Sequence, residues 1–419
     1  MTPEQGHRHD VLVIGGGPAG ASCAYWLARA GWDVCVVERK AFPREKTCGD
    51  GLTPRSVRQL EDMGLGPALA RDHHRYGGLR SVAGGRTLEL AWPHHPDYPD
   101  YGYVITRADL DSMVADHAVA AGATLLQGTE AVAPLMEGGV VAGAEVGRDG
   151  SATGEVRARC VVVADGANSR FGRALGVSRT RRWPLGMAIR GYYRSPRSGE
   201  PWIESHLDLR EADGSILPGY GWIFPLGDGR VNVGVGLLST SIRPGGKAVN
   251  TSRLMEAFVA SAPPSWELSE DTCCGPPTGG KLPMGLSVGP RFGPTHLVVG
   301  DAGGSINPFN GEGIAYAYET GRMAAFAVGQ ALSTDDPGAL AAYQRRLEET
   351  YGLYYKVART FVRLIGRPQV LAALVGTGMR SAALMEGVLR IMANLLRPDQ
   401  VGPAEAAYQA AAALARLAP

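Results

Sequence analysis

The stretch DVLVIGGGPAGASCAYWLARAGWDVCVVERK, Asp10 to Lys40, decides the fold. An apolar run from Val11 to Ile14 enters Gly15-x-Gly17-x-x-Gly20. A helix then continues to about Ala30, Gly31 ends it, and DVCVVE forms the next buried strand. Gly15 permits the tight turn, Gly17 lets the backbone approach a pyrophosphate, and Gly20 allows close packing of helix on strand. Pro18 and Ala19 open the helix whose positive end faces the phosphates. Glu38, about 20 residues on at the end of the second strand, is placed to accept hydrogen bonds from a ribose diol, with Arg39 beside it. A strand, helix, strand unit carrying this fingerprint and a terminal acid predicts a dinucleotide site in an α/β fold.

At 419 residues the chain is long enough for two or three domains. A net charge of +1 gives no reason to expect nucleic acid as a partner. Six cysteines (Cys23, Cys35, Cys48, Cys160, Cys273, Cys274) lack paired metal-type spacing and suit a reduced, cytoplasmic setting. The opening MTPEQGHRHD carries no apolar signal core. No run approaches 18 apolar residues, so no bilayer-spanning helix is expected. The nine histidines, including His73-His74 and His94-His95, read as loop residues standing apart from acids, and no metal centre is expected.

Two later segments narrow the cofactor. CVVVADGANSRFGRALG is an apolar strand running into Asp165-Gly166. THLVVGDAGGSINPFNGEGIAYAYETGRMAA is another, ending at Gly300-Asp301, followed by a loop broken by proline and glycine and a long helix from about Gly313. Together with the glycine fingerprint, these strand ends resemble the FAD-dependent oxidoreductases of the aromatic-hydroxylase fold. The resemblance implies FAD, with Asp301 on the ribityl chain and the loop of Pro308, Gly311, Gly313 and Ile314 passing the isoalloxazine ring. The helix after that loop would offer its N-terminus to the pyrimidine edge, where a reduced flavin carries negative charge. It also implies that Arg107, in VITRADLDSMV, reaches the cofactor and that Ala131 packs by the adenine.

The segment LPGYGWIFPLGDGRVNVGVG, residues 217 to 236, alternates Tyr220, Trp222 and Phe224, so an extended strand would point all three to one face. That face is either core or a pocket wall. Tyr-x-Trp-x-Phe-Pro, here Tyr220 to Pro225, and Lys-x-Cys-Gly, here Lys46 to Gly49, resemble the geranylgeranyl reductase family, which hydrogenates isolated double bonds in polyprenyl chains. The likeness extends over nearly the whole chain. With NPFNGEGI and MRSAALM (residues 379 to 385) added, it is strongest to bacterial members that saturate one isoprene unit of the menaquinone tail. Flavin-dependent halogenases carry Trp-x-Trp-x-Ile-Pro at the corresponding place, from which Tyr220 and Phe224 depart. Quinone-linked electron carriers of this fold add a cysteine-ligated cluster near the C-terminus, and no cysteine lies beyond Cys274.

The resemblance therefore implies that Tyr220, Trp222, Phe224 and Pro225 hold an isoprenoid against the flavin through apolar contact. Saturating an alkene takes a hydride and a proton on the neighbouring carbon. Cys48, in the segment beside the flavin with Gly49, and Asp50 are the candidates for shaping that site or supplying the proton. NAD(P)H or another reductant is the expected electron source, although no second glycine fingerprint exists for a nicotinamide. A geranylgeranyl diphosphate or phospholipid chain is the nearest alternative substrate. An aromatic monooxygenase and a prenyl-binding escort without catalysis are further alternatives.

The implied fold class is α/β: a Rossmann-like FAD-binding domain of the aromatic-hydroxylase type, a mixed or antiparallel sheet domain for substrate, and a C-terminal helical segment. The expected division is residues 1–75, 105–180 and 285–335 for FAD, 76–104 and 181–284 for substrate, and 336–419 for the helices. From Tyr351 to Pro398 the tail sets seven basic residues (Lys356, Arg359, Arg363, Arg367, Arg380, Arg390, Arg397) against one acid, Glu386, among apolar positions. Such a segment suits either the inner face of the cell membrane, bound peripherally, or a solvated basic face. Oligomeric state is not legible.

Overall fold

The computed structural model describes residues 7–210, 214, 216–239, 249–397 and 401–417. The first six residues, on which the export-signal reading partly rests, and Pro398, the last residue of the basic tail, lie outside the described residues.

The strand Arg8–Ile14 lies between Val34–Glu38 and Ser151–Val163 and runs parallel to both. Thr124–Gln127 extends this set beyond Val34–Glu38, and His296–Val298 extends it beyond Ser151–Val163, again in parallel. Parallel strands covered on both faces read as continuous apolar runs, and all of Val34–Glu38 is buried. The helix Pro18–Arg29 packs against the long helix Ile314–Thr334, and a Cβ at Gly321 would lie 2.3 Å from the Ala19 carbonyl oxygen. The first half of Ser151–Val163 leaves the parallel set for an antiparallel ladder with Val140–Arg148, which in turn pairs with Glu130–Glu137.

A second seven-stranded sheet has the order Thr278–Pro283, Leu185–Arg194, Arg230–Leu238, Gly219–Pro225, Trp202–His206, Gly78–Ala83, Arg86–Ala91. Its neighbours are antiparallel except Trp202–His206 and Gly78–Ala83, which are parallel. Register aligns one row across all seven strands: Thr278, Arg190, Gly234, Trp222, Ser205, Ser81, Leu88. Since side chains alternate along a strand, that row and its second neighbours share one face. The opposite face buries Ile223, Val233 and Val235 under Phe258 and Met255 of the helix Thr251–Ser261.

After Ile314–Thr334 the chain is helical: Ala341–Leu347, a π-helical turn at Glu348–Gly352, Leu353–Ile365, Pro368–Gly378, Ala382–Met392 and Pro403–Leu417. Leu353–Ile365 buries Tyr354, Tyr355, Val357, Ala358 and Val362, while Arg363 and Leu364 face outward. Met385 and Leu389 of Ala382–Met392 join a core with Leu90 and Ile203 of the second sheet and with Trp92, which follows Arg86–Ala91. Among the described residues no helix is long and apolar enough to cross a membrane.

Candidate cofactor and substrate site

A cavity of about 1480 Å³ runs from the glycine turn, past the 46–53 segment and the aromatic strip, to the C-terminal helices. At its first end Gly15 adopts φ +99°, and a Cβ there would lie 2.5 Å from the Ala164 carbonyl oxygen. Gly20 does not line the cavity. Its Cβ would fall 1.9 Å from the Gly15 carbonyl oxygen, so this glycine serves the packing of helix on strand. Gly17 caps the helix, and nothing but the Arg44 guanidinium, at 3.5 Å, would meet a side chain there. Pro18 and Ala19 line the same end.

Glu38 is buried and accepts from the Gly16 amide at 3.0 Å and the Lys40 amide at 3.1 Å. Arg44, absent from the sequence reading, joins Glu38 (3.3 Å) to Asp111 (2.9 Å), and Arg107 holds Asp111 through two 2.7 Å bonds. Arg107 thus lines the cavity already paired, and Arg39 and Ala131 line it beside the cradle. No local pattern marks Arg44, because its partners are 6 and 67 residues away.

Asp50 is fully buried at φ +64°. Its Oδ2 accepts from the Tyr192 hydroxyl at 2.6 Å and from Asn232 Nδ2 at 2.8 Å, while Oδ1 has no partner. Burial pushes this carboxyl up to about 6, against the opposing pull of the Tyr192 and Asn232 hydrogen bonds and the Arg190 charge. Cys48 Sγ accepts from the Asp50 amide at 3.4 Å, and burial raises the thiol, so it stays protonated. Asn232 had a visible signal, a lone polar side chain inside the apolar alternation VNVGVG. Tyr192 had none.

The aromatic strip is pocket wall. Tyr220, Trp222 and Phe224 line the cavity in a row, with ring centroids 5.9 and 6.2 Å apart. Room for the indole comes from the next strand, where a Cβ at Gly234 would lie 2.2 Å from the Trp222 ring. The indole N–H donates to Asn232 Oδ1 at 2.9 Å. Phe224 lies over Gly49 and Gly51, whose absent side chains would meet its ring at 3.2 and 3.1 Å. Tyr220 donates to the Asn310 carbonyl at 2.7 Å, joining the strip to the 308–314 loop. Pro225 departs from the sequence expectation: it is buried, pairs with Val231 and does not line the cavity, because alternation turns it away from the strip's face.

Pro308, Gly311, Gly313 and Ile314 line the cavity together with Asp301, whose carboxylate accepts from Lys46 Nζ at 3.3 Å. The same loop supplies a residue that sequence reading passed over. Glu312 lines the cavity, accepts from the Thr53 hydroxyl and leaves Oε2 buried without a partner. Its burial raises the carboxyl to about 7.

Contrary to the expected separation of the histidines from acids, one cluster forms near the N-terminus. His7, just before the first strand, and His9, within it, both bond Asp33 beside the start of the neighbouring strand, at 2.7 and 2.9 Å. Their ligand atoms and those of Asp33 lie within 4.8 Å of one another. This cluster sits apart from the cavity lining.

The cradle end fits a dinucleotide. It offers open backbone at Gly17, the Glu38 carboxylate, and two buried polar atoms without partners, Arg44 Nε and Asp165 Oδ1, on cavity-lining residues. Amides, a guanidinium and carboxylates are the donor set that phosphates and ribose hydroxyls require. Asp301 and the start of Ile314–Thr334 line the same cavity as the glycine turn and the aromatic strip.

The FAD binding domain family matches residues 8–188. A menaquinone reductase of Mycobacterium tuberculosis (strain ATCC 25618 / H37Rv) is 42% identical over 93% of this chain and 92% of its own. Digeranylgeranylglycerophospholipid reductase 2 of Methanopyrus kandleri is 34% identical over 83% of this chain and 84% of its own. Among solved structures, a geranylgeranyl bacteriochlorophyll reductase-like protein of Thermoplasma acidophilum superposes with a TM-score of 0.77 at 23% identity, covering 92% of this chain and 96% of that one. A flavin-dependent brominase reaches 0.76 at 18% identity, covering 99% and 100%. These two structures show the shared fold. The curated relatives show more: the chain belongs to the geranylgeranyl reductase family of FAD-dependent oxidoreductases, beside the menaquinone reductases.

Proposed function

We propose that this protein is an FAD-dependent reductase that saturates an isoprene double bond of the menaquinone side chain. The observation that carries this reading is the continuity of one cavity from the glycine cradle, past Cys48 and Asp50, to a wall of aromatic and aliphatic side chains. A prenyl chain offers no charge to recognise, and such a wall binds it at about 25 cal/mol per Å² removed from water. The 42% identity to a menaquinone reductase points to the same substrate.

When bound and reduced, FAD supplies the two electrons and one hydrogen that no side chain can give to an unactivated alkene. Gly15, Gly17, Pro18, Ala19, Glu38, Arg39, Arg107, Ala131 and Asp301 would hold it, with the 308–314 loop and Cys48–Gly49 along its ring. The residues of the chain then orient the alkene and complete the addition. Tyr220, Trp222 and Phe224 press the isoprene toward the ring and exclude water. Asp50 holds a proton on a buried carboxyl whose Oδ1 makes no competing hydrogen bond, ready for the neighbouring carbon. Cys48, kept as a thiol, packs the wall beside it. NAD(P)H or another reductant returns the electrons.

On this reading residues 1–75, 105–180 and 285–335 bind FAD, 76–104 and 181–284 cover the substrate, and 336–419 close the lipid end. The protein works peripherally on the inner membrane face. In support, Leu364, Leu374, Leu384 and Leu414 each line the cavity yet are 47–71% exposed. Exposed Arg363, Arg367 and Arg380 lie near them in sequence. Arg359, Arg390 and Arg397 turn inward instead, to the Gly285 carbonyl, Glu386 and the His94 carbonyl. Mass spectrometry of quinones from cells with and without the gene tests the assignment. Loss of the species two hydrogens heavier on deleting the gene is expected, and an unchanged pattern sinks it.

A further inference from the structure

The cavity-facing side of the second sheet carries two hydroxyls that the proposed chemistry leaves unused. Ser81 and Ser205 are direct register partners on the parallel strands Gly78–Ala83 and Trp202–His206, and Ser205 is in turn the register partner of Trp222. All three side chains therefore stand in one row on one face, about 4.8 Å from strand to strand. Both serines line the cavity and are 0% and 6% exposed. Ser81 Oγ is buried without a hydrogen-bond partner.

Their surroundings make this costly. Leu79, Leu90, Ile203 and Leu207 line the same part of the cavity, and Met385 and Leu389 face it from the helix Ala382–Met392. A buried hydroxyl in an apolar wall loses its water and gains nothing unless something else accepts from it. Buried polar groups in folded proteins are nearly always satisfied, so the unpaired Ser81 hydroxyl, beside Ser205 at a ligand cavity, marks a place where ligand or water completes the bond.

Charge tells which ligand. Among the described residues lining the cavity, the lysines and arginines lie at 39–46, at 107, at 170 and 173, and at 281. Arg44 and Arg107 are paired at the cradle end, Lys46 is bonded to Asp301, Arg170 and Arg173 are on the short helix Arg170–Ala174 after the Asp165 strand end, and Lys281 is on the edge strand five strands removed from Ser81 in the sheet order. The strands bearing the serines and the C-terminal helices contribute no cation to the lining. Arg80 and Glu204, next to the serines in sequence, alternate to the other face, where Arg80 pairs with Glu89, Glu200 and Glu204. A phosphate or diphosphate would be buried there without a counter-charge, which the low-dielectric wall penalises heavily. A neutral acceptor meets no such penalty.

We propose that the paired hydroxyls of Ser81 and Ser205 recognise an uncharged carbonyl-bearing head, the quinone ring of the substrate, and seat it one to two strands from Trp222 along the same row. This inference rests on the reading of the protein as a quinone-lipid reductase and assigns the position of the quinone ring within it. It also gives a physical reason for choosing a quinone over a phosphorylated prenyl chain at this site.

The test is equilibrium binding to the purified FAD-loaded protein, using menaquinone-4 and a C20 prenyl hydrocarbon that lacks any head. The wild type should bind menaquinone-4 more tightly than the hydrocarbon. Ser81→Ala with Ser205→Ala should weaken menaquinone-4 about tenfold or more and leave the hydrocarbon unchanged, since each lost bond to a carbonyl is worth a severalfold change. Ser205→Thr, which keeps the hydroxyl, should hold most of the affinity, and Ser81→Cys provides a near-isosteric variant should the alanine pair fail to fold. Equal menaquinone-4 affinity in wild type and double variant would mean that the serines hold only water, overturning the proposal while the quinone-lipid reading stands. Wild-type protein that ignores menaquinone-4 but binds a digeranylgeranyl phospholipid would overturn both.

Discussion

Trp222 and Asp50 are joined through one side chain: Asn232 accepts from the indole N–H at 2.9 Å and donates to the Asp50 carboxylate at 2.8 Å. The aromatic wall of the cavity and the buried acid are thereby held in a fixed relation. The indole and the carboxyl are parts of one hydrogen-bonded unit, and variants at either should be read by pH as well as by rate.

Asp50 should impose an alkaline limb on isoprene reduction. With its carboxyl at about 6, the donor form is complete below that pH, and single-turnover rates of prereduced enzyme should fall about tenfold per pH unit above it. Asp50→Asn should be slow at every pH while retaining FAD. The folded carboxyl binds its proton more tightly than the unfolded one, so that contribution is present below 3.8 and lost as pH rises through about 6. Asp50→Asn should therefore be more stable than wild type at pH 8, by up to about 3 kcal/mol, and gain nothing near pH 3. Equal stability differences at both pH values, measured by denaturant unfolding, would contradict the assignment.

Trp222→Ala should keep FAD, because the indole belongs to the second sheet rather than the cradle. Truncating a buried ring costs about 3–5 kcal/mol in a core, and about 3 kcal/mol lost at the transition state is over a hundredfold in rate. Flavin reduction by an artificial donor should be untouched. Asn232→Ala removes a hydrogen bond that holds the Asp50 carboxyl down, so its pH limb should move upward. A variant that loses flavin would instead mark the strip as structural core.

Two glycines of the fingerprint should fail in different ways. A side chain at Gly17 meets only Arg44, at 3.5 Å, so Gly17→Val should fold and lose FAD by occupying the pyrophosphate's place. Gly20→Ala drives a methyl to 1.9 Å from the Gly15 carbonyl and should destabilise the apoprotein itself. Asp301→Ala should resemble Gly17→Val. Flavin absorbance and thermal unfolding of the three purified variants separate the cases.

Leu364, Leu374 and Leu384 should carry vesicle binding. Replacing all three with glutamate should abolish flotation with anionic phospholipid vesicles while FAD content stays at the wild-type level. Flotation unchanged by the triple substitution would remove the membrane role from this rim.

The glycine fingerprint, Glu38 and the two aspartate strand ends were legible because backbone geometry and phosphate chemistry demand particular residues at fixed local spacing. The alternation of Tyr220, Trp222 and Phe224 likewise predicted a shared face, since a strand has a period of two whatever surrounds it. Whether that face was core or cavity wall was not legible, because it depends on what the opposite elements leave open. Pro225 shows the limit within the motif itself: its identity matched the family pattern, but alternation turns it away from the cavity. Sequence alone thus determined a flavin fold with a greasy strand. Only the tertiary structure decided that Asn232 and Tyr192, 182 and 142 residues from Asp50, would surround its carboxyl, that Arg44 would bridge Glu38 and Asp111, and that Ser81 would stand beside Ser205. Those meetings depend on strand order and register, which are set by how whole sheets bury their faces, and no short window of residues records them.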